Sequence, residues 1–275
     1  MSTVKTYDFE KRKVTTQRLR EMKKNGQKIV CLTAYDAIMA RIFDEALVDV
    51  LLVGDSLGNT IQGNETTLSV TLEETIYHTK AVCKGSSRAM VVADMPFMTY
   101  QVSPNEAFTN AGRIMKETGC NAVKLEGGKQ ITEAIYKMTT FGIPVMGHLG
   151  LTPQSINQYG SYRARGTSPE EAEQIYQDAI ALEEAGIFSL VLEKIPASLG
   201  KKITEKLKIP TIGIGAGPYC DGQILVYTDM LGLTIDFNPR FVRRYANLNE
   251  LIKESVINYG NDIRERKFPS DKESY

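Results

Sequence analysis

Val50-Leu51-Leu52-Val53-Gly54-Asp55-Ser56-Leu57-Gly58 is the stretch from which the rest of the chain can be read. Four branched apolar residues bounded by glycine make a short strand buried on both faces, the kind found in parallel sheets. The run then delivers a carboxylate and a hydroxyl to its own C-terminal tip, beside glycines that let a ligand approach the backbone. Taken alone, the tip reads equally well as a strand end whose Asp caps the next helix. Repetition along the chain separates the two readings.

Upstream, Ile29-Val30-Cys31-Leu32-Thr33 is a first strand, and Asp36 can cap a helix carrying Ile38, Met39, Ile42, Phe43 and Ala46. Downstream, Thr71-Leu72-Glu73-Glu74 is a capping box whose helix runs to Gly85, and residues 89–93 form a third strand ending in Asp94. Ser103-Pro104-Asn105-Glu106 is a second capping box, with a helix ending near Gly119. Residues 122–126 are the fourth strand, Ile131, Ile135 and Met138 mark a helix stopped by Gly142, and residues 144–148 are the fifth strand. An irregular connection over 149–167 leads to Ser168-Pro169-Glu170-Glu171, which starts the clearest helix of the chain. Residues 189–193 are the sixth strand, and Leu199, Ile203 and Leu207 are the next helical stripe. Residues 210–217 make a seventh strand with a glycine turn, 224–229 an eighth, and Leu248 to about Arg266 a last amphipathic helix.

Eight short apolar strands alternating with helices over about 250 residues predict an α/β fold, a closed (β/α)8 TIM barrel. Residues 28–275 are assigned to this single catalytic domain. Residues 1–27 form an N-terminal extension whose short basic helix, Thr16 to Lys24, is expected to be a lid or an oligomer contact. An open doubly wound sheet would advertise a phosphate fingerprint after its first strand, and none is present. Gly213-x-Gly215-x-Gly217 has the wrong spacing and sits late, so a tight turn is preferred over a nucleotide site.

With 275 residues, 42% of them hydrophobic, the chain can bury a large core. Its 33 basic residues balance 33 acidic ones, which leaves no electrostatic footprint for nucleic acid or an anionic membrane. No apolar run approaches the roughly 18 residues of a membrane span. The first residues lack an apolar signal core and include Asp8, Glu10 and Glu21, so a cytoplasmic location is expected. Cys31, Cys83, Cys120 and Cys220 are widely separated and read as buried or incidental thiols.

The expected strand tips carry Asp55-Ser56, Asp94, Lys124 with Glu126, His148, Glu193 and Asp229. In a parallel barrel all C-terminal tips converge on one face, where barrel enzymes keep their sites. Carboxylates on three consecutive strands (Asp55, Asp94, Glu126) repel unless a cation sits among them, and an all-oxygen set suits Mg²⁺ before Zn²⁺. Lys124 and Glu126 share one face of their strand, and a buried lysine is costly unless it stabilises negative charge. An ion pair with Glu126 that merely fills the barrel mouth is the alternative. His148 reads as a metal ligand, an acid–base group or a polar contact for substrate, whereas His78, mid-helix, is expected at the surface. Glu193, away from the metal set, is free to act as a base. This chemistry is metal-assisted enolisation of a 2-oxo acid, or C–C bond making or breaking.

Seven motifs then carry a resemblance: Thr33-Ala34-Tyr35-Asp36, Val53-Gly54-Asp55-Ser56-Leu57-Gly58, Asp94-Met95-Pro96-Phe97, Lys124-Leu125-Glu126-Gly127-Gly128, Gly147-His148-Leu149-Gly150-Leu151-Thr152-Pro153-Gln154, Val191-Leu192-Glu193 and Gly213-Ile214-Gly215-Ala216-Gly217. Their order and spacing resemble the ketopantoate hydroxymethyltransferase family from about Lys28 to about Tyr245. The resemblance implies a barrel enzyme, commonly a homodecamer. It implies transfer of a hydroxymethyl group from 5,10-methylenetetrahydrofolate, a folate co-substrate, to 3-methyl-2-oxobutanoate in pantothenate biosynthesis. It assigns Mg²⁺ to Asp55, Asp94 and Glu126 (the last directly or through water), the oxo acid to Asp55, Ser56, Asp94 and Lys124, a site-lining role to His148, and the general base to Glu193. Thr228 and Lys194 depart from the family pattern. A Mg²⁺-dependent lyase of the isocitrate-lyase type is the alternative, although such enzymes bring a catalytic Cys in a glycine-rich loop that this chain lacks. A non-catalytic 2-oxo-acid binding protein is the third reading.

Overall fold

The computed structural model describes residues 12–235 and 238–275. The chain forms two compact units, one up to Val226 and one from Tyr227 to Tyr275. In the first unit eight parallel strands close on themselves in sequence order: β1 (Ile29–Thr33), β2 (Val50–Val53), β3 (Met90–Asp94), β4 (Ala122–Glu126), β5 (Val145–Gly150), β6 (Ser189–Glu193), β7 (Thr211–Ile214) and β8 (Gly222–Leu225). β8 pairs back onto β1, with Ile29 opposite Gly222 and Leu32 opposite Leu225. The expected TIM barrel is therefore the observed fold.

Side-chain alternation builds the interior. Ile29 and Cys31, Val50 and Leu52, Met90 and Val92, Ala122, Met146, Val191, Ile212 and Ile224 form one buried cluster. Continuing the period of two toward the C-terminal tips adds Asp94 after Val92, Lys124 and Glu126 after Ala122, His148 after Met146 and Glu193 after Val191. The same strand faces that fill the barrel with hydrocarbon thus hand it a ring of charge at one end.

The opposite end is closed by the helix Thr16–Lys24. Its Leu19 and Met22, with the preceding Val14, belong to the barrel-interior cluster. Val14 N donates to Arg88 O at 2.8 Å, just before β3, and Lys23 Nζ pairs with Asp221 at 2.8 Å, just before β8. This helix is a plug at the N-terminal ends of the strands and does not cover the site face, which corrects the expected lid. Arg20 and Lys24 are exposed, whereas Arg18 is buried beside the apolar stripe of Leu19 and Met22, and net charge alone concealed that stripe.

The other sequence elements lie close to expectation. The reciprocal Thr71–Glu74 capping box forms, whereas Ser103 and Ser168 cap their helices through the backbone N–H of Glu106 and Glu171. The connection over 149–167 contains a 3-10 turn, Pro153–Ser155, and a short helix, Ile156–Tyr159. The eighth strand is displaced: it starts at Gly222 and ends at Leu225, and Tyr227–Met230 is a helical turn. A Cβ at residue 222 would lie 2.5 Å from the Ile29 carbonyl oxygen, so glycine opens this strand where a search for branched residues passes it over. Asp229 is consequently not a strand tip.

Within the second unit, Tyr245 N and Leu248 N donate to the carbonyls of Met230 and Leu231 at 2.8 and 3.0 Å. Its helix Leu248–Arg264 has no buried residue and exposes Leu251, Ile252, Val256 and Ile257. Among the described residues no helix is long and apolar enough to cross a membrane.

Candidate active site

Asp55, Asp94 and Glu126 each offer a carboxylate oxygen within 4.8 Å of the others, and all three are buried. Asp94 and Glu126 are the inward-facing last residues of β3 and β4. Asp55 lies beyond β2, in a turn that Gly54 permits: a Cβ there would come within 2.8 Å of Ser56 Oγ. The turn is held by Asp55 N, which donates to Asp94 Oδ2 at 3.2 Å. Lys124 Nζ sits 2.7 Å from both Asp94 oxygens and 3.6 Å from Glu126 Oε1. On β5, His148 Nδ1 donates to Glu126 Oε1 at 3.0 Å. Its Nε2 lies 3.3 Å from Glu193 Oε2 but off the line of a hydrogen bond. Glu193 is the more open of these groups, its side chain 15% exposed against 3% for His148.

The electrostatics follow from this packing. Burial, then the charges of Asp94 and Glu126, push Asp55 up to about 8. Asp94 also rises, because burial and Glu126 outweigh the opposing pull of Lys124. Burial opposes ionisation of Glu126 too, yet Lys124 and His148 hold it below the usual Glu range. The three carboxylates keep Lys124 charged against its burial. Burial and Lys124 oppose an imidazolium at His148, but Glu126 and Glu193 prevail and push it up to about 9. Lys124 and His148 leave the three buried carboxylates incompletely offset, so the triad fits a hard divalent cation with oxygen ligands, whose charge would favour the ionised form of Asp55.

Of the residues singled out in the sequence, Asp55, Asp94, Lys124, Glu126, His148 and Glu193 meet in this cluster. Ser56 stands at its edge, with Oγ 2.7 Å from Tyr35 Oη. His78 is half-buried, with Nδ1 2.7 Å from the Tyr35 carbonyl oxygen, so it is not a surface residue. Lys194, in a left-handed conformation, donates from Nζ to Tyr162 O at 3.1 Å. Asp229 lies in the second unit. The turn at 213–217 is a packing device, since a Cβ on Gly217 would meet Ala197 Cβ at 2.4 Å.

Two buried residues escaped sequence reasoning. Gln154 Nε2 donates to Asp55 Oδ2 at 3.1 Å, and its backbone N–H donates to Glu126 Oε2 at 3.0 Å. Tyr100 Oη is 2.8 Å from Gln154 Oε1 and accepts from Glu126 N at 3.2 Å. Neither carries acid–base chemistry near neutrality. The one signal available was that Gln154 closes the Gly147–Gln154 motif.

The profile of the family described as ketopantoate hydroxymethyltransferase matches residues 13–271. The 3-methyl-2-oxobutanoate hydroxymethyltransferase of Chlorobium phaeobacteroides is 59% identical over 266 residues, spanning 95% of this chain and 96% of that protein. The protein of the same name from Salinibacter ruber is 56% identical, spanning 96% of this chain and 99% of that one. Among solved structures, phosphonopyruvate hydrolase in complex with oxalate and Mg²⁺ is similar with a TM-score of 0.61 at 11% identity, covering 94% of this chain and 93% of that one. A 2,3-dimethylmalate lyase of the PEP mutase/isocitrate lyase superfamily gives 0.57 at 14% identity, covering 94% and 91%. At such identities these two structures speak to the fold alone.

Proposed function

The chain belongs to the ketopantoate hydroxymethyltransferase family and is a transferase enzyme, and on that premise we propose that it moves a hydroxymethyl group from 5,10-methylenetetrahydrofolate to 3-methyl-2-oxobutanoate, with Glu193 as general base. The observation that carries this reading is a division among the strand tips. A buried acidic triad with Lys124 occupies β2 to β4, and a separate, more open carboxylate, Glu193, stands on β6 beside His148.

Asp55, Asp94 and Glu126 would hold Mg²⁺, which when bound supplies Lewis acidity toward the oxygens of the 2-oxo acid and so acidifies its C3–H. Lys124 offers its ammonium to the negative charge of the acid and of the enolate. Ser56 and His148 would hold the acid by hydrogen bonds. Glu193 accepts the C3 proton, and its position outside the triad leaves it an unshared lone pair for that step. The new bond joins C3 to the one-carbon unit, both C–N bonds that tie this unit to N5 and N10 of the folate break, and water supplies the hydroxyl oxygen; the C3 proton and one proton of the water end on the two nitrogens, giving 2-dehydropantoate and tetrahydrofolate. The resemblance extends this reading to a cytoplasmic homodecamer.

The lyase reading finds no cysteine in position to serve it. Cys31 lies within β1, Cys120 and Cys220 precede β4 and β8, and Cys83 is helical. Glu193→Gln tests the proposal. It is expected to lower turnover by about 10² to 10⁴ while Mg²⁺ and oxo-acid binding persist. Near-normal turnover would remove Glu193 from the role.

A further inference from the structure

We infer that Gln154 is a positioning residue that fixes the orientation of two of the three triad carboxylates and thereby sets the affinity for the divalent cation, an inference that rests on the metal reading of the triad. Gln154 comes from the 3-10 turn after β5 and is 6% exposed. It reaches Asp55, from the β2 tip, with its side chain and Glu126, from the β4 tip, with its main chain. Asp55 and Glu126 belong to non-adjacent strands. No ladder hydrogen bond sets the distance or tilt between them.

The turn supplies the main-chain contact at little cost. Pro153 opens it, and the early N–H groups of such a turn lack internal partners, so the Gln154 N–H is available to Glu126. The side-chain amide has only one orientation compatible with its surroundings. Nε2 donates to Asp55 Oδ2 and, at 3.0 Å, to Met95 O. Oε1 faces the Tyr100 hydroxyl at 2.8 Å and Gln101 Nε2 at 3.2 Å. A flipped amide would set an acceptor against a carboxylate and a carbonyl, and a donor against Gln101 Nε2. Tyr100, which also accepts from Glu126 N, therefore keys the amide and the third ligand together. Only a neutral group that donates on one side and accepts on the other fits here. A carboxylate would repel Asp55, and an apolar side chain would leave Asp55 Oδ2 and Tyr100 Oη without these partners.

The test titrates the purified full-length wild type, Gln154→Met, Tyr100→Phe and Glu193→Gln with Mg²⁺ by isothermal calorimetry, after metal-free thermal melts establish that each is folded. Gln154→Met keeps volume and the main-chain contact but removes the amide. It is expected to bind Mg²⁺ about 10- to 100-fold more weakly, the range found when groups supporting metal ligands are lost. Tyr100→Phe should weaken binding by a smaller factor, and Glu193→Gln should stay within about twofold of wild type. A folded Gln154→Met with wild-type affinity, even with a lowered melting temperature, overturns the inference and leaves the metal reading standing. If Gln154→Met does not fold, Tyr100→Phe decides, and unchanged affinity there overturns the inference. A wild type that takes up no Mg²⁺ overturns the metal reading itself.

Discussion

Asp44 organises the entry to β3 from a single carboxylate. Oδ1 accepts from Ser86 Oγ, Arg88 N and Ala89 N at 2.9, 3.0 and 2.6 Å, and Oδ2 accepts from Ser87 N and Ser87 Oγ at 3.0 and 2.9 Å. Burial alone would raise its pKa, but the backbone N–H groups of residues 87–89 outweigh burial and bring it from 3.8 down to about 2. A depressed folded-state value means that its stabilisation is complete above the ordinary Asp range and fades as pH falls from there through about 2. Asp44→Asn should therefore destabilise by about 1–2 kcal/mol in excess of its other effects near neutrality, and that excess should shrink as pH falls below about 4 toward 2. Urea melts of both proteins from pH 7 to pH 2.5 check this, and a gap independent of pH would contradict it. Nothing in the sequence betrays Asp44, because all its partners lie more than 40 positions away. The site residues Asp55, Asp94, Lys124, Glu126 and Glu193 were legible for the opposite reason. Each is a charged residue within or just after a short apolar run, and a buried charge needs a partner or a task.

Among the elements, the helix Thr16–Lys24 shows where reading by charge fails. It carries four basic residues, which suggested an exposed role, yet Leu19 is fully buried at the base of the barrel. Leu19→Ala should cost about 2–5 kcal/mol of stability in denaturant unfolding, whereas a lid or surface helix would lose well under 1. β2 and β6 were legible to the residue, since unbroken apolar runs between glycine, polar and turn signals admit no other register, and β4 was legible from the apolar residues around Lys124 and the glycines that follow it. β8 was not. It is a four-residue strand opened by glycine and interrupted by a glutamine, so the apolar run that begins at Ile224 drew the expected strand two residues too far at its start and four at its end. Gln154 was hidden in a similar way, in a turn following β5 whose conformation depends on side chains delivered by β2, β3 and β4.

At the scale of the molecule, the closed parallel sheet explains why separate short motifs amount to one site. Residues 55, 94, 124, 126, 148 and 193 span most of the first unit in sequence, and closure of the barrel brings them together at one end. The plug closes the other end, so chemistry is confined to the face where the tips meet. Enolisation of a 2-oxo acid at that face is what the clustered tips are proposed to perform. The most direct measurement is NMR of 3-methyl-2-oxobutanoate incubated with the enzyme in D₂O, with and without Mg²⁺ and with tetrahydrofolate added in a parallel run. The expected result is a loss of the C3 methine proton signal that requires Mg²⁺ and disappears in Glu193→Gln. Retention of the methine proton by the wild type under all of these conditions would contradict it.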